Sequence, residues 1–62
     1  MNGYKVVVRV RGEDHIEYRT DSLEKAEGYA RTVSGNRWGG RRVVTSDGRD
    51  VSVWDDSRKV RQ

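Results

Sequence analysis

The segment from Gly35 to Arg42 concentrates residue types that recognise anionic groups. It holds three arginines, three glycines and one tryptophan, and the wider range 28–46 carries four arginines and no acidic residue. A guanidinium group binds carboxylate or phosphate through paired hydrogen bonds, and an indole ring can stack on bases or on cations. Glycines let a partner's backbone approach closely. This pattern predicts a contact loop for an acidic partner, either a protein or a nucleic acid.

Residues that could carry catalysis or hold a metal are sparse. The chain has no cysteine and a single histidine, His15, which excludes a thiolate nucleophile and a multi-histidine metal site. Paired acids at 47–50 and 55–56 could supply carboxylates, but the Asp-Gly dipeptide at 47–48 is typical of a turn. The glycines fit no nucleotide-binding pattern. We therefore predict a protein that is not an enzyme and binds neither cofactor nor metal.

The length of 62 residues allows one domain, and the chain has no disulfide to stabilise it. A small core, or a second copy of the chain, must supply the stability, so a homo-oligomer is one expectation.

The longest apolar run, Val6–Val8, is too short for a membrane span or a signal peptide. We expect a cytoplasmic protein that does not contact membranes.

Charge is distributed unevenly along the chain. The net charge is only +3, yet residues 13–27 contain six acidic residues whereas residues 28–46 contain none. Such alternating blocks predict one basic surface and one acidic surface.

Two segments near the start of the chain alternate apolar and polar residues and predict a β-hairpin over residues 4–20. A three-residue loop gives a consistent register, with the cross-strand pairs Val10–Ile16, Val8–Tyr18 and Arg9–Glu17.

The segment after the hairpin has the pattern of a capping box, with Asp21 as N-cap and Glu24 three residues later. It predicts a helix over about 22–34 that ends at Gly35-Asn36 in the left-handed conformation. The predicted core face of this helix consists of Leu23, Ala26, Ala30 and Val33.

A second hairpin is predicted over residues 41–54, because Asp47-Gly48 separates two β-rich runs. In the expected alternation, the residues on the buried face are Val44, Val51 and Val53. The residues on the opposite face are Arg41, Val43 and Trp54. The tail, residues 55–62, has little apolar content, and we expect it to be frayed beyond an ordered core of about residues 4–54.

The predicted fold is therefore α+β: a single two-layer domain over residues 1–62, in the order β-β-α-β-β. One helix packs on a mostly antiparallel four-stranded sheet. The other face of the sheet is expected to be uncovered and basic, with the residues Lys5, Val7, Arg9, Arg11, Arg19, Arg41, Val43 and Trp54.

The pattern of a Tyr-Lys-Val-Val-Val hairpin, a Thr-Asp-Ser-Leu-Glu-Lys-Ala-Glu helix start and a closing Val-Val-Thr-Ser-Asp-Gly-Arg-Asp-Val hairpin resembles very short phage and prophage proteins of GC-rich bacteria. The resemblance spans roughly residues 4–54. It implies an accessory protein, of the kind found in actinobacteriophages, in the cytoplasm of a bacterial host. It also implies a non-enzymatic binder that modulates a host protein.

The sequence thus predicts a binding module with an acidic protein as its partner, and nucleic acid as the alternative. Protein interfaces are enriched in Trp, Tyr and Arg, which favours an acidic protein as the partner. A basic sheet face with aromatic residues that stack on bases would favour the second. The predicted partner-binding residues are Arg9, Arg11, Arg37, Trp38, Arg41, Arg42 and Trp54.

Overall fold

A computed structural model describes residues 3–37 and 39–61, with Arg61 described by its backbone alone. The elements in chain order are β1 (Tyr4–Val10), β2 (Glu13–Thr20), α1 (Leu23–Asn36), β3 (Arg41–Thr45), β4 (Asp50–Asp55) and β5 (Arg58–Arg61). The helix packs on one face of a five-stranded antiparallel sheet whose strand order is β2-β1-β3-β4-β5. The predicted α+β class and the helix-on-sheet layering are confirmed.

The tail adds a strand that the sequence analysis missed. Instead of fraying, residues 58–61 pair with β4 through a two-residue turn in which Asp56 and Ser57 both have positive φ. The turn rests on the end of α1, where the Ser57 amide donates to Ser34 Oγ at 3.1 Å and the Asp56 amide donates to the Ser34 carbonyl at 3.2 Å. Backbone hydrogen bonds and this docking order a segment that has little hydrophobic content.

The register of the first hairpin also differs from the expectation. Arg11 and Gly12, with φ of 53° and 83°, form a two-residue turn that matches the twist of the strands. Arg9 therefore lies opposite Asp14, and Val7 lies opposite Ile16. A bulge between Val6 and Val7 then returns Tyr18 to the side that faces the helix. The expected three-residue loop is wrong. A two-residue turn followed by a bulge, and not a longer loop, brings Tyr18 to the face that packs on the helix.

The helix begins one residue later than predicted. Ser22 is the N-cap, and its hydroxyl accepts from the Lys25 amide at 3.2 Å. At the other end, Gly35 and Asn36 remain helical, and Arg37 is an extended C-cap. Gly35 is needed for close approach, because a Cβ there would lie 1.9 Å from Ser57 Oγ.

The core lies between α1 and the sheet face that we call the covered face. Its fully buried members are Val6, Ala26, Ala30 and Val43. Packed around them are the partly buried residues Tyr4, Tyr18, Tyr29, Val51 and Trp54. The rings of Tyr18 and Tyr29 stack with their centroids 4.7 Å apart. Leu23, a predicted core residue, is 37% exposed, and Ser34 is buried in the last turns of the helix.

Apart from Val51, which packs on the core as predicted, the residues of the second hairpin lie on the opposite faces from those expected. Val43 is fully buried in the core and pairs with Val6 on the covered face, whereas Val44 pairs with Lys5 on the other side of the sheet. A bulge between Val43 and Val44 lets Val51 pack on the core although Val53 points away. The prediction assigned the wrong faces because Val43 and Val44 are adjacent in β3, and the sequence does not indicate which of the two packs on the core.

Candidate protein-binding face

The sheet face opposite α1, here called the open face, has no described element over it. Cross-strand pairs share a face, so the register of β1–β4 identifies its members. They are Lys5, Val7, Arg9, Asp14, Ile16, Arg19, Arg42, Val44, Asp50 and Val53. Lys5, Val7, Arg9 and Arg19 lie on the face where the sequence placed them.

Apolar side chains occupy the centre of the open face. Val7 and Val44 are only 6% and 3% exposed although no second layer covers them. The long side chains around them, such as those of Lys5 and Arg42, can shield them with their aliphatic stems. Ile16 is 44% exposed on the same face, beside Val7. An apolar centre with a charged rim is the composition of a protein interface.

Basic residues on the open face are only partly neutralised. Arg9 Nε donates to Asp14 Oδ1 at 3.1 Å. Arg42 makes two longer ion pairs, of 3.5 Å from Nη2 to Asp14 Oδ2 and 3.9 Å from Nε to Asp50 Oδ1. All these side chains are at least 38% exposed, so each pair contributes little to stability. Lys5 and Arg19 add positive charge that these two carboxylates do not balance.

A shallow depression in the open face surrounds the side chain of Arg42. Its lining consists of Val7, Arg9, Asp14, Gly40, Arg42 and Val53. Within the described part of the chain, the Nε atom of Arg42 is buried and has no hydrogen-bond partner. Buried polar atoms are nearly always hydrogen-bonded in native proteins, so this donor marks an unsatisfied position in the face.

Arg41, a predicted contact residue, lies on the covered face instead. Its side chain is 3% exposed and bonds to Glu17 through Nε at 2.6 Å and Nη2 at 3.3 Å. Its Nη1 donates to the Gly39 carbonyl at 2.7 Å. The bulge in the first hairpin places Glu17 within reach of this guanidinium. The residue fixes the loop before β3 and is not available to a partner.

Trp54 is likewise packed against the covered face rather than displayed on the open one. It contacts the core cluster, and its Nε1 donates to the buried Ser52 hydroxyl at 2.9 Å. Tyr4, Tyr18 and Tyr29 also pack against this cluster. Every aromatic residue that the structure describes therefore lies on the helix side of the sheet.

The remaining predicted contact residues are dispersed. Arg11 is exposed in the first hairpin turn, beyond the end of β1. Arg37 is exposed at the end of α1 and lines a groove with Asp55 and Asp56. Trp38 lies outside the described residues. Of the six predicted residues that the structure describes, only Arg9 and Arg42 lie together on the open face.

Sequence reasoning missed five members of the open face: Asp14, Ile16, Val44, Asp50 and Val53. The sequence predicts Ile16 and Val53 on the core side, but the two-residue turn at Arg11-Gly12 places Ile16 opposite Val7, and the bulge in the second hairpin leaves Val53 on the open face. A sequence signal for Val53 did exist: the indole of Trp54 needs a hydrogen-bond acceptor when it packs inward, and Ser52 provides one on the same side of β4.

Two features of residues 3–37 and 39–61 bear on metal binding and membrane insertion. No group of three or more His, Asp or Glu side chains there is placed to hold a metal ion. No helix within the same residues is long and apolar enough to cross a bilayer. Comparisons with known proteins give no relative: no family model matches the chain, and no curated protein or solved structure matches it.

Proposed function

We propose that this protein is a small non-enzymatic binding module that uses its open face to bind an acidic protein. In keeping with the resemblance to phage and prophage proteins, the proposed partner is a bacterial host protein whose activity the module modulates. The contact surface is the open face, with Arg9, Arg42, Lys5 and Arg19 around Val7, Ile16 and Val53. Of the segment from Gly35 to Arg42 that the sequence predicts as the contact loop, the proposed contact keeps Arg42.

The observation that carries the proposal is an uncovered sheet face with a partly exposed apolar centre and a basic rim. Ile16 is 44% exposed on this face beside Val7, and Val10, Leu23 and Val60 are the other large apolar residues exposed in the described part of the chain. Apolar area removed from water stabilises an interface, and charges of one sign select the partner and speed its approach. Both properties coincide on the open face.

The same geometry makes nucleic acid the weaker alternative. Sheet-face readers of single strands stack bases on exposed aromatic rings. Here the described aromatic residues, Tyr4, Tyr18, Tyr29 and Trp54, all pack on the helix side. Without a stacking platform, the face is better suited to carboxylates on a protein.

The proposal is tested by charge reversal on opposite sides of the sheet. Arg19→Glu changes the open face, and Arg31→Glu makes the same charge change on the exposed surface of α1. Immobilised parent and variants are incubated with a bacterial lysate, and the retained proteins are identified by mass spectrometry. We expect Arg19→Glu to lose an acidic protein that the parent and Arg31→Glu both retain.

Equal retention by all three proteins would rule out the open face as the contact surface. A labelled single-stranded and a labelled duplex DNA test the alternative at low salt. If either binds, log affinity should fall linearly with log salt, by a slope of about 0.7 to 0.9 for each phosphate contact. Binding that Arg19→Glu weakens would replace the protein partner with nucleic acid.

A further inference from the structure

Arg42 differs from the other basic residues of the open face in how its guanidinium group is held. Arg9 makes a hydrogen bond to Asp14 at 3.1 Å, whereas the ion pairs of Arg42 span 3.5 and 3.9 Å. Its Nε is buried without a hydrogen-bond partner among the described residues. The group is therefore positioned near two carboxylates while one buried donor stays unused.

The surroundings of Arg42 fit a small planar anion. Val7 and Val53 line the depression on its apolar side, and apolar walls strengthen a charge-assisted hydrogen bond because they lower the local dielectric. Gly40 contributes no side chain to the lining, so that part of the depression stays open. A guanidinium group offers donors in a planar fork that matches the two oxygens of a carboxylate.

Charge complementarity selects the occupant. The open face carries four basic residues, Lys5, Arg9, Arg19 and Arg42, against the two carboxylates of Asp14 and Asp50, so a positive excess remains on the face around the depression. We infer that the depression around Arg42 receives one carboxylate side chain, aspartate or glutamate, from the acidic partner protein. This inference rests on the proposed function and assigns Arg42 as the residue that determines specificity within the open face.

A nuclear magnetic resonance titration tests this directly, because the Nε–H group of an arginine gives its own signal. The probe is sodium acetate, compared with sodium chloride at the same ionic strength. We expect the Arg42 signal to shift in a saturable manner with acetate, at least three times further than with chloride. Arg49, which is 84% exposed and paired with Asp47 in a turn, is the matched control and should respond equally to both salts.

The conservative variant Arg42→Lys keeps the positive charge but loses the planar pair of N–H donors that can bind both oxygens of a carboxylate. We expect the backbone amide signals of Val7 and Val53 to stop responding to acetate in this variant, while the rest of the spectrum shows the parent fold. A linear, equal response of Arg42 to both salts would overturn the inference, as would a response to acetate that Arg42→Lys retains in full.

Additional experiments identify other ligands of the depression and distinguish a failure of this inference from a failure of the proposed function. Tighter binding of inorganic phosphate than acetate would overturn the carboxylate assignment. A protein-concentration dependence of the Arg42 signal without added salt would assign the site to a second copy of the chain. If acetate fails to bind while Arg19→Glu still loses the partner, only this inference falls. If acetate binds while Arg19→Glu retains the partner, the proposed function falls and the carboxylate site stands.

Discussion

Arg41 and Arg42 are adjacent in β3 and lie on opposite faces of the sheet. Arg41 belongs to the covered face, where Glu17 and two backbone carbonyls take up its donors. Arg42 belongs to the open face, where its contacts are long and its Nε has no hydrogen-bond partner among the described residues. A buried guanidinium must be satisfied within the fold, whereas a partly exposed one can be satisfied by a partner. The difference separates a residue that maintains the structure from one that is suited to binding.

The largest expected effect is the loss of the Arg41 side chain. Arg41→Ala leaves Glu17, whose side chain is only 20% exposed, without its partner, and frees the carbonyls before β3. Removing one member of a buried ion pair costs about 3–5 kcal/mol, and the partial exposure of Glu17 favours the lower end. We expect Arg42→Ala to cost less, about 1 kcal/mol, because the residue is only half-buried, its ion pairs are long and weak, and the loss is mainly the packing of its aliphatic stem. Urea denaturation measures both, and equal losses would contradict the distinction between the two arginines.

The sequence was sufficient to predict the first five elements, and insufficient to predict β5 or which face each strand residue occupies. Alternating β-branched residues, the cap region at Asp21-Ser22 and the Asp47-Gly48 turn all lie where the expected elements form. The face of Ile16 depended on the length of the first hairpin turn, and the faces of Tyr18 and Val53 depended on two bulges, which shift the phase without a distinct residue pattern. The burial of Arg41 likewise depended on a contact with Glu17, 24 residues away in the chain. Such long-range pairs appear only when the fold is assembled.

A second comparison places the same substitution on the two faces. Val43→Thr introduces a hydroxyl into the fully buried core, where burying it without a partner costs about 1–3 kcal/mol. Val53→Thr makes the same change on the open face, at a half-buried position, and we expect a cost within about 0.5 kcal/mol. Thermal unfolding of the two variants checks the assignment of faces. A larger loss at Val53 would mean that the second hairpin is inverted relative to this structure.

The helix that creates the covered face offers a smaller contrast between two of its glycines. A Cβ at Gly28 would meet nothing within 4 Å, whereas one at Gly35 would collide with Ser57. Gly28→Ala should therefore stabilise the protein by about 1 kcal/mol through helix propensity alone. Gly35→Ala gains the same propensity but must displace the turn before β5, so we expect no net gain. Comparable gains in denaturation experiments would show that this turn does not dock tightly on the helix.

We expect the smallest effect on stability from the turn between β3 and β4, which lies at the end of the sheet and belongs to neither the covered nor the open face. The Thr45 hydroxyl donates to the Asp47 carboxylate, and this bond, with the nearby Arg49 guanidinium, holds the pKa of Asp47 below its usual 3.8. A carboxyl whose pKa is lowered by folding stabilises the native state above its unfolded pKa, and this contribution disappears as the pH falls through the lowered value. The parent should therefore be slightly more stable than Asp47→Asn at pH 7, with the difference closing as the pH falls below 3.8.

Thermal unfolding of both proteins across this pH range measures that difference, and Thr45→Val provides the control. Without the hydroxyl, Asp47→Asn should change stability less at every pH, because the main cause of the lowered pKa has been removed. A difference that persists unchanged in acid, or that survives in the Thr45→Val background, would mean that Asp47 acts through the geometry of the turn and not through its charge. Because the turn lies outside both faces, none of these variants should alter the response of Arg42 to acetate.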